Sequence, residues 1–407
     1  MSDAPSIFGE PIDQRALQQI ENCLRDDRAV AGALMADHHL GYSMPIGGVV
    51  AYRDAISPSG VGFDIACGNK AARTELEVDF GIKYDLGRLM GDIRKQIAFG
   101  IGRSNAEPID HDLFDDPLWS EIDKLVPGLQ EKARAQLGTV GSGNHYVDLL
   151  VDEDGRLWAA NHFGSRGFGH TVATTFLNLA AGRAPTERAK DEETPAVLDL
   201  GTETGDLYME AMKLAGRYAY AGRDYVMDQV LRILGTKTTF EVHNHHNFAW
   251  EEDGLIVVRK GATPLTEDPA FIGGSMGDVS VIVRGTGEDI GALASAPHGA
   301  GRVMSRTQAA GKWMKQRVTR TAPDGTTYEK KIRVRNKATA AIDWDAVRAD
   351  LDERGIVVLG AGADEAPGVY KSLEAVLSHH PNIEVLHRLE PLGVVMAGED
   401  EFDPYKD

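Results

Sequence analysis

Residues 295–306 read SAPHGAGRVMSR and set His298 against a Gly-Ala-Gly turn, with Arg302 and Arg306 close behind. Glycines there let the backbone approach a phosphate, because no Cβ blocks contact or forbids a positive φ. Arginines offer planar forks that match phosphate oxygens. A histidine held in such a turn can act as a nucleophile that carries a phosphoryl or nucleotidyl group. Taken alone, the segment is equally well read as a hydrogen-bonded histidine in a tight turn.

Four further segments concentrate ligand chemistry beside glycines. Asp64 and Cys67 stand three residues apart in GVGFDIACGN (60–69), and Asn144 precedes His145 in GSGNH (141–145). His162 lies in HFGSRGFGH (162–170), and His243, His245 and His246 crowd into four residues. Each segment alone is weak, since a lone histidine or cysteine is more often a packed core residue. Together they supply a mixed hard and soft donor set, enough for two divalent ions if the thiolate bridges. Ligand softness alone points to zinc. A pair of ions would suit phosphoryl chemistry.

The elements that must position these residues are partly legible. Ile12, Ala16, Ile20 and Cys23 recur at helical spacing over 12–25, which puts Cys23 in the core. Helices are also expected over 84–98 and 207–234, and short strands with tight turns over 45–80. Thr238–Asn247, Leu255–Lys260 and Val279–Arg284 read as strands. Within 238–247, alternation would send His243 and His245 to one face and His246 to the other. The Pro-flanked, charged stretch 183–196 reads as a surface loop. Helices and strands are intermixed rather than alternating, so a single α+β domain is expected over 1–407.

Bulk properties narrow the class. With 42% hydrophobic and 26% charged residues, the composition is that of a globular protein, and no apolar run approaches a membrane span. Two cysteines and no secretory pattern lead to the expectation of a reducing, cytoplasmic setting. The net charge of −19 argues against a generally basic, nucleic-acid-binding surface. Residues 312–337 are the exception: nine basic against two acidic residues give +7 and leave −26 for the rest. Ala322–Gly325 is a good turn sequence, so the segment reads as a basic β-hairpin. It is either a docking place for a polyanion or an ordinary solvated hairpin.

From about Met35 to Met396, the chain resembles the RtcB family of GTP-dependent RNA ligases. The resemblance rests on Asp37-His-His39-Leu-Gly41 and the runs GVGFDIACGN, GSGNH, HFGSRGFGH, HHN (245–247), RKGAT (259–263), GGSMGDVS (273–280) and HGAGRVMSR (298–306), in family order. It implies two manganese ions held by Asp64, Cys67, His145, His162 and His246, the last chosen by the His-His-Asn match. It implies that His298 attacks the α-phosphate of GTP while Asp37 orients it. The GMP then passes to an RNA 3′-phosphate, itself available from a 2′,3′-cyclic phosphate, and a 5′-hydroxyl seals the strand. Asn144, Ser275 and the backbone of His298, Gly299, Ala300, Gly301 and Arg302 would hold phosphate. Ser280 and Tyr370 match the nucleotide site. An archease-type activator is a further implied partner.

Two positions depart from the family pattern. Asp148 stands where a glutamate commonly faces guanine, and Met396 where the family commonly has a lysine, with Lys406 in the tail as a substitute. The departures leave room for a metal-dependent cyclic phosphodiesterase acting on RNA ends, or for a non-catalytic RNA-repair subunit.

Overall fold

The apolar patterns resolve into two sheets and flanking helices in a computed structural model that describes residues 4–187, 194–321 and 326–398. Helix α1 (Gln14–Cys23) starts where the Asp13 carboxylate accepts from the Arg15 and Ala16 amides, and it buries Ala16, Ile20 and Cys23 as expected. Strands β1 (Ala29–His39), β2 (Ile46–Tyr52) and β3 (Gly68–Glu77) follow. Helix α2 (Phe80–Gln96) begins a turn before the expected residue 84, because Asp79 caps the Ile82 amide at 2.9 Å. After the hairpin of β4 (Tyr146–Val151) and β5 (Arg156–Phe163) come α3 (Arg166–Ala180) and α4 (Glu203–Leu234). The last also starts a turn earlier than the apolar stripe suggests. Thr202 accepts from the Gly205 amide, Glu203 and Asp206 complement the helix dipole, and Gly235 ends the helix in the left-handed region.

The remaining chain adds β6 (Thr238–His245), β7 (Asn247–Glu252), β8 (Leu255–Lys260), β9 (Ala270–Ile272) and β10 (Ser280–Gly285). Then come α5 (Arg306–Ala310), β11 (Trp313–Thr321), β12 (Thr327–Arg335), α6 (Trp344–Glu353), β13 (Val357–Ala361) and β14 (Ile383–Gly398). One sheet runs β9-β10-β14-β4-β5-β3-β6, antiparallel along that path, with β13 parallel to β14. The other sets β1, β2, β8 and β7 side by side, with Ser6–Ile7 parallel to β1.

Helix α4 ties the two sheets into one α+β unit. Its first half buries Tyr208, Met212 and Tyr218 with Phe168 of α3 and with Val50, Tyr52 and Val258 of the smaller sheet. Its second half packs Val226 and Val230 with Met90, Ile93, Leu149 and Leu157 over the larger sheet. Each such buried side chain contributes about 1.5–3 kcal/mol.

The expected single strand over 238–247 is divided. β6 pairs with β3 in the larger sheet and β7 with β8 in the smaller, leaving His246 as the residue that crosses between them. Its amide donates to the Cys67 carbonyl at 2.8 Å, and the Ala66 amide donates to the Asn247 carbonyl at 2.7 Å. The basic hairpin forms as β11–β12, in register from Trp313↔Arg335 to Thr321↔Thr327. The turn expected at 322–325, part of the loop expected over 183–196, and Lys406 lie outside the described residues. Among the described residues no helix is long and apolar enough to cross a membrane.

Candidate functional site

Adjacent strands of the larger sheet carry most of the ligand candidates to one end. Cys67 leads into β3, His162 lies near the end of β5, and His145 immediately precedes β4. The register places Asn69 opposite His162 and Gly68 opposite His245, so these segments meet beside the crossing residue His246. Gly164 is required here: a Cβ on it would lie 2.3 Å from an Asp64 carboxylate oxygen. The close turn that seats Asp64 therefore admits no side chain at 164.

The donor atoms converge. Cys67 Sγ lies 3.3 Å from His162 Nε2 and 3.6 Å from His145 Nε2. His145 Nε2 is 3.0 Å from Asp64 Oδ2, and His162 Nε2 is 3.4 Å from His246 Nε2. Atoms sharing a cation at about 2.0–2.3 Å stand at such separations. Two overlapping groups result, Asp64–Cys67–His145 and Cys67–His162–His246, with the thiol common to both. His162 Nδ1 donates to the Asn144 carbonyl at 3.0 Å, which leaves its Nε2 lone pair facing the group.

Electrostatics fit a cation there. Burial works against a charge on Asp64, but the hydrogen bond and charge of His145 bring its carboxyl down to about 2. Burial brings His162 down to about 3, so its ring is neutral. Burial and then Asp64 push the Cys67 thiol well above its ordinary value. The charge of Arg223 and the Gly68 amide work the other way without outweighing burial, and a cation at the sulfur would favour the thiolate further. Three imidazoles, one thiol and one carboxylate fit a pair of divalent ions sharing the sulfur.

His298 stands next to this group, its ring 4.8 Å from that of His246. Its Nδ1 is 2.6 Å from Asp37 Oδ2, and the same oxygen accepts the His298 amide at 3.0 Å and the Gly299 amide at 3.3 Å. Asp37 is fully buried. Burial opposes its charge, but the His298 partner holds the carboxyl below its ordinary range. With a carboxylate as acceptor, the Nδ1 proton belongs to this bond, and Nε2 takes no part in it. Gly301, at φ +72°, lets the turn close over β1: a Cβ there would sit 2.2 Å from the Asp37 carbonyl oxygen.

A cleft opens from His162 and His298. Asn144, Ser275, Gly299, Ala300, Gly301 and Arg302 line it, as do Asp148, Tyr370 and Met396 at its far end. Ser280 does not line it. Its hydroxyl accepts from the Gly274 amide at 3.0 Å and shapes the turn that presents Ser275. Arg302 is held by Tyr370 Oη at 3.2 Å and the Met304 carbonyl at 3.3 Å, while its buried Nη2 has no protein partner. Burial pushes the Asp148 carboxyl well above the carboxylate range, and its Oδ1 has no partner.

Arg306, read from the sequence as a phosphate-binding candidate, is held by acidic partners instead, and Arg223 was passed over. Arg306 pairs with Asp364 at 3.1 Å and with Glu365, which also accepts from Tyr370, so a buried ion network braces the far end. Arg223 of α4 is fully buried behind the ligand cluster. It donates to the carbonyls of Ala66 at 2.9 Å and Phe163 at 2.6 Å, each adjoining a ligand, and to His243 Nε2 at 2.9 Å. The available signal was an arginine on the apolar stripe of a helix. His243 and His245 stack around Tyr220 instead of joining the cluster, with ring centroids 3.8 Å and 5.1 Å away.

Comparison with known proteins places this geometry in a family. A family model described as tRNA-splicing ligase RtcB matches residues 19–126 and 119–334. The RNA-splicing ligase RtcB of Escherichia coli K12 is 31% identical over 421 residues, covering 94% of each chain. The tRNA-splicing ligase RtcB of Thermococcus kodakarensis is 30% identical over 447 residues, 89% of this chain and 86% of that protein. The RNA-splicing ligase RtcB homolog 1 of Entamoeba histolytica is 30% identical over 390 residues and 74% of each chain. A match over most of the chain, joined to a cleft that gathers the motif residues, makes this protein a member of the RtcB family.

Proposed function

We propose that this protein is an RNA ligase that joins a 3′-phosphate or 2′,3′-cyclic phosphate end to a 5′-hydroxyl end, using GTP and manganese. The observation that carries the reading is the Asp37–His298 pair, which frees His298 Nε2 beside the five-donor cluster. Asp64, Cys67, His145, His162 and His246 would hold two Mn²⁺ ions, which when bound offset the charge of phosphate oxygens.

His298 Nε2 forms a bond to the α-phosphorus of GTP as the bond to the bridging oxygen breaks and pyrophosphate leaves. Asp37 keeps Nδ1 protonated and stabilises the positive charge that develops on the ring. Arg302 Nη2, Asn144 and the 298–302 backbone bind the phosphate oxygens. GMP is then transferred from His298 to an oxygen of the RNA 3′-phosphate, and the ring returns to its neutral form. Attack by the RNA 5′-hydroxyl on that phosphate forms the new linkage and releases GMP. On this reading its partners would be RNA substrates and an archease-type activator, and its setting the cytoplasm.

Incubation with GTP labelled at the α-phosphate and Mn²⁺ tests it. An acid-labile protein adduct is expected on the native chain and none on His298→Ala. Native protein that takes no label, even with an archease-type activator added, overturns the ligase reading. The alternative of a cyclic phosphodiesterase then requires opening of a 2′,3′-cyclic phosphate without GTP.

A further inference from the structure

The β11–β12 ribbon has two unlike faces. In an antiparallel pair, residues directly opposite share a face. One face carries Lys315 opposite Arg333 and Arg317 opposite Lys331, then Arg335 opposite Trp313 and Glu329 opposite Thr319. The other carries Met314 opposite Val334, Gln316 opposite Ile332, Val318 opposite Lys330 and Arg320 opposite Tyr328. Two successive like-charge pairs thus meet across the strands, an arrangement that costs a lone hairpin stability. Glu329 offsets part of it through Arg317, at 3.5 Å.

Among the described residues no other strand pairs with this ribbon. Nine paired positions give it a length of roughly 30 Å. Its root is fixed: Arg335 donates to the Gly311 carbonyl at 3.0 Å and lies 4.3 Å over the Trp313 ring, and the Asn336 amide donates to the Lys312 carbonyl at 2.8 Å. The root follows directly on α5, whose first residue, Arg306, lines the cleft. The ribbon is therefore a cationic arm leaving the rim of the cleft, in a protein whose remaining residues sum to −26. A polyanion entering that cleft is repelled by most of the surface and attracted by this arm.

We propose that the Lys315/Arg317/Lys331/Arg333 face of the ribbon binds the phosphate backbone of the RNA whose end enters the cleft. The assignment rests on the reading of the cleft as an RNA-end site, but its test does not need the chemistry to run. Contacts of this kind hold and orient the strand without reading sequence. They also make binding depend on salt, because each neutralised phosphate releases counterions.

Two double variants remove equal charge from opposite faces: Arg317→Gln with Lys331→Gln, and Arg320→Gln with Lys330→Gln. The probe is a short fluorescent single-stranded RNA with a 3′-phosphate, titrated with full-length protein over a salt series. The first variant should weaken binding about tenfold at low salt and reduce the slope of log K against log salt by about 1.4, at ~0.7 per contact. The second should change both much less. Equal losses in both variants, no loss in the first, or no RNA binding by the native chain would each overturn the proposal. Face-dependent binding without a GMP adduct would sink the ligase reading and keep the ribbon; an adduct without face dependence would do the reverse.

Discussion

The two ends of the cleft are built on different principles. At the near end hydrogen bonds tie several side chains in place, although Asp37 Oδ1, His145 Nδ1 and His246 Nδ1 are buried without a partner. Asp37 Oδ2 takes three donors, His162 has its Nδ1 tied to a carbonyl, and Arg223 holds the backbone beside two ligands. At the far end, Asp148 leaves a buried oxygen without a partner and Met396 offers no donor where the family commonly has a lysine. Bond-making at phosphorus tolerates little error in position, a demand that the Asp37–His298 pair would meet on the proposed reading. Recognition of a base distributes its energy over several contacts, and one can weaken without stopping the chemistry. The contrast predicts steep losses for changes at the near end and shallow ones at the far end.

Cys67→Ala should have the largest effect, because that sulfur is common to both candidate metal groups. Its loss disconnects the pair. Retained Mn²⁺, measured by elemental analysis after dialysis, should fall for both sites, and adduct formation should drop at least about 100-fold. Retention of both ions at the native level would show that the thiol bridges nothing.

Asp37→Asn comes next. The amide keeps the shape but removes the charge that stabilises the developing imidazolium, and it can present N–H to Nδ1 and select the wrong tautomer. Adduct formation should fall about 100-fold with Mn²⁺ content unchanged. A matching loss of metal would mean that Asp37 acts on the ligand cluster instead of on His298.

Arg223→Met separates support from chemistry. It removes a buried guanidinium and leaves the Ala66 and Phe163 carbonyls and His243 without their donor, a cost of about 3 kcal/mol. The midpoint of denaturant unfolding should shift accordingly. An unchanged midpoint would mean that water replaces the guanidinium at no cost, and that the near end is less tightly fixed than the hydrogen bonds imply.

How far these features were legible follows from what a one-dimensional pattern can carry. The core face of α1 and the hairpin β11–β12 follow from periodicity and alternation, which are local, while the start of α4 was read a turn late because its Thr202 cap was not weighed. Convergence of Asp64, Cys67, His145 and His162 depends on the order β4-β5-β3, which spacing along the chain does not encode; the ligand types beside glycines suggested a shared site, and the family motifs named its members. His246 was expected on the opposite face of a single strand from its neighbours; it parts from them instead because the chain changes sheet there, which no periodicity announces. Arg223 was missed because an arginine on an apolar stripe is a weak signal until its partners are known, and nothing along the chain pairs Arg306 with Glu365.

The smallest expected effect tests the far end directly. Met396 lies on β14, its backbone opposite Tyr146, while Val394 pairs with Asp148, so a longer cationic side chain at 396 would enter the same part of the cleft as the Asp148 carboxyl. Burial disfavours the charged form of that carboxyl in the present sequence. An ammonium within reach would favour its ionised form and so restore a donor and an acceptor together. Met396→Lys should therefore improve the apparent affinity for GTP over ATP by no more than about tenfold, as one charge-assisted contact allows. Adding Asp148→Glu, which extends the carboxyl by one methylene, should increase that preference further. The readout is adduct yield against nucleotide concentration with each base. If Met396→Lys instead abolished the adduct, the two ends would be coupled, and the division drawn between a fixed reaction centre and an adjustable base pocket would fail.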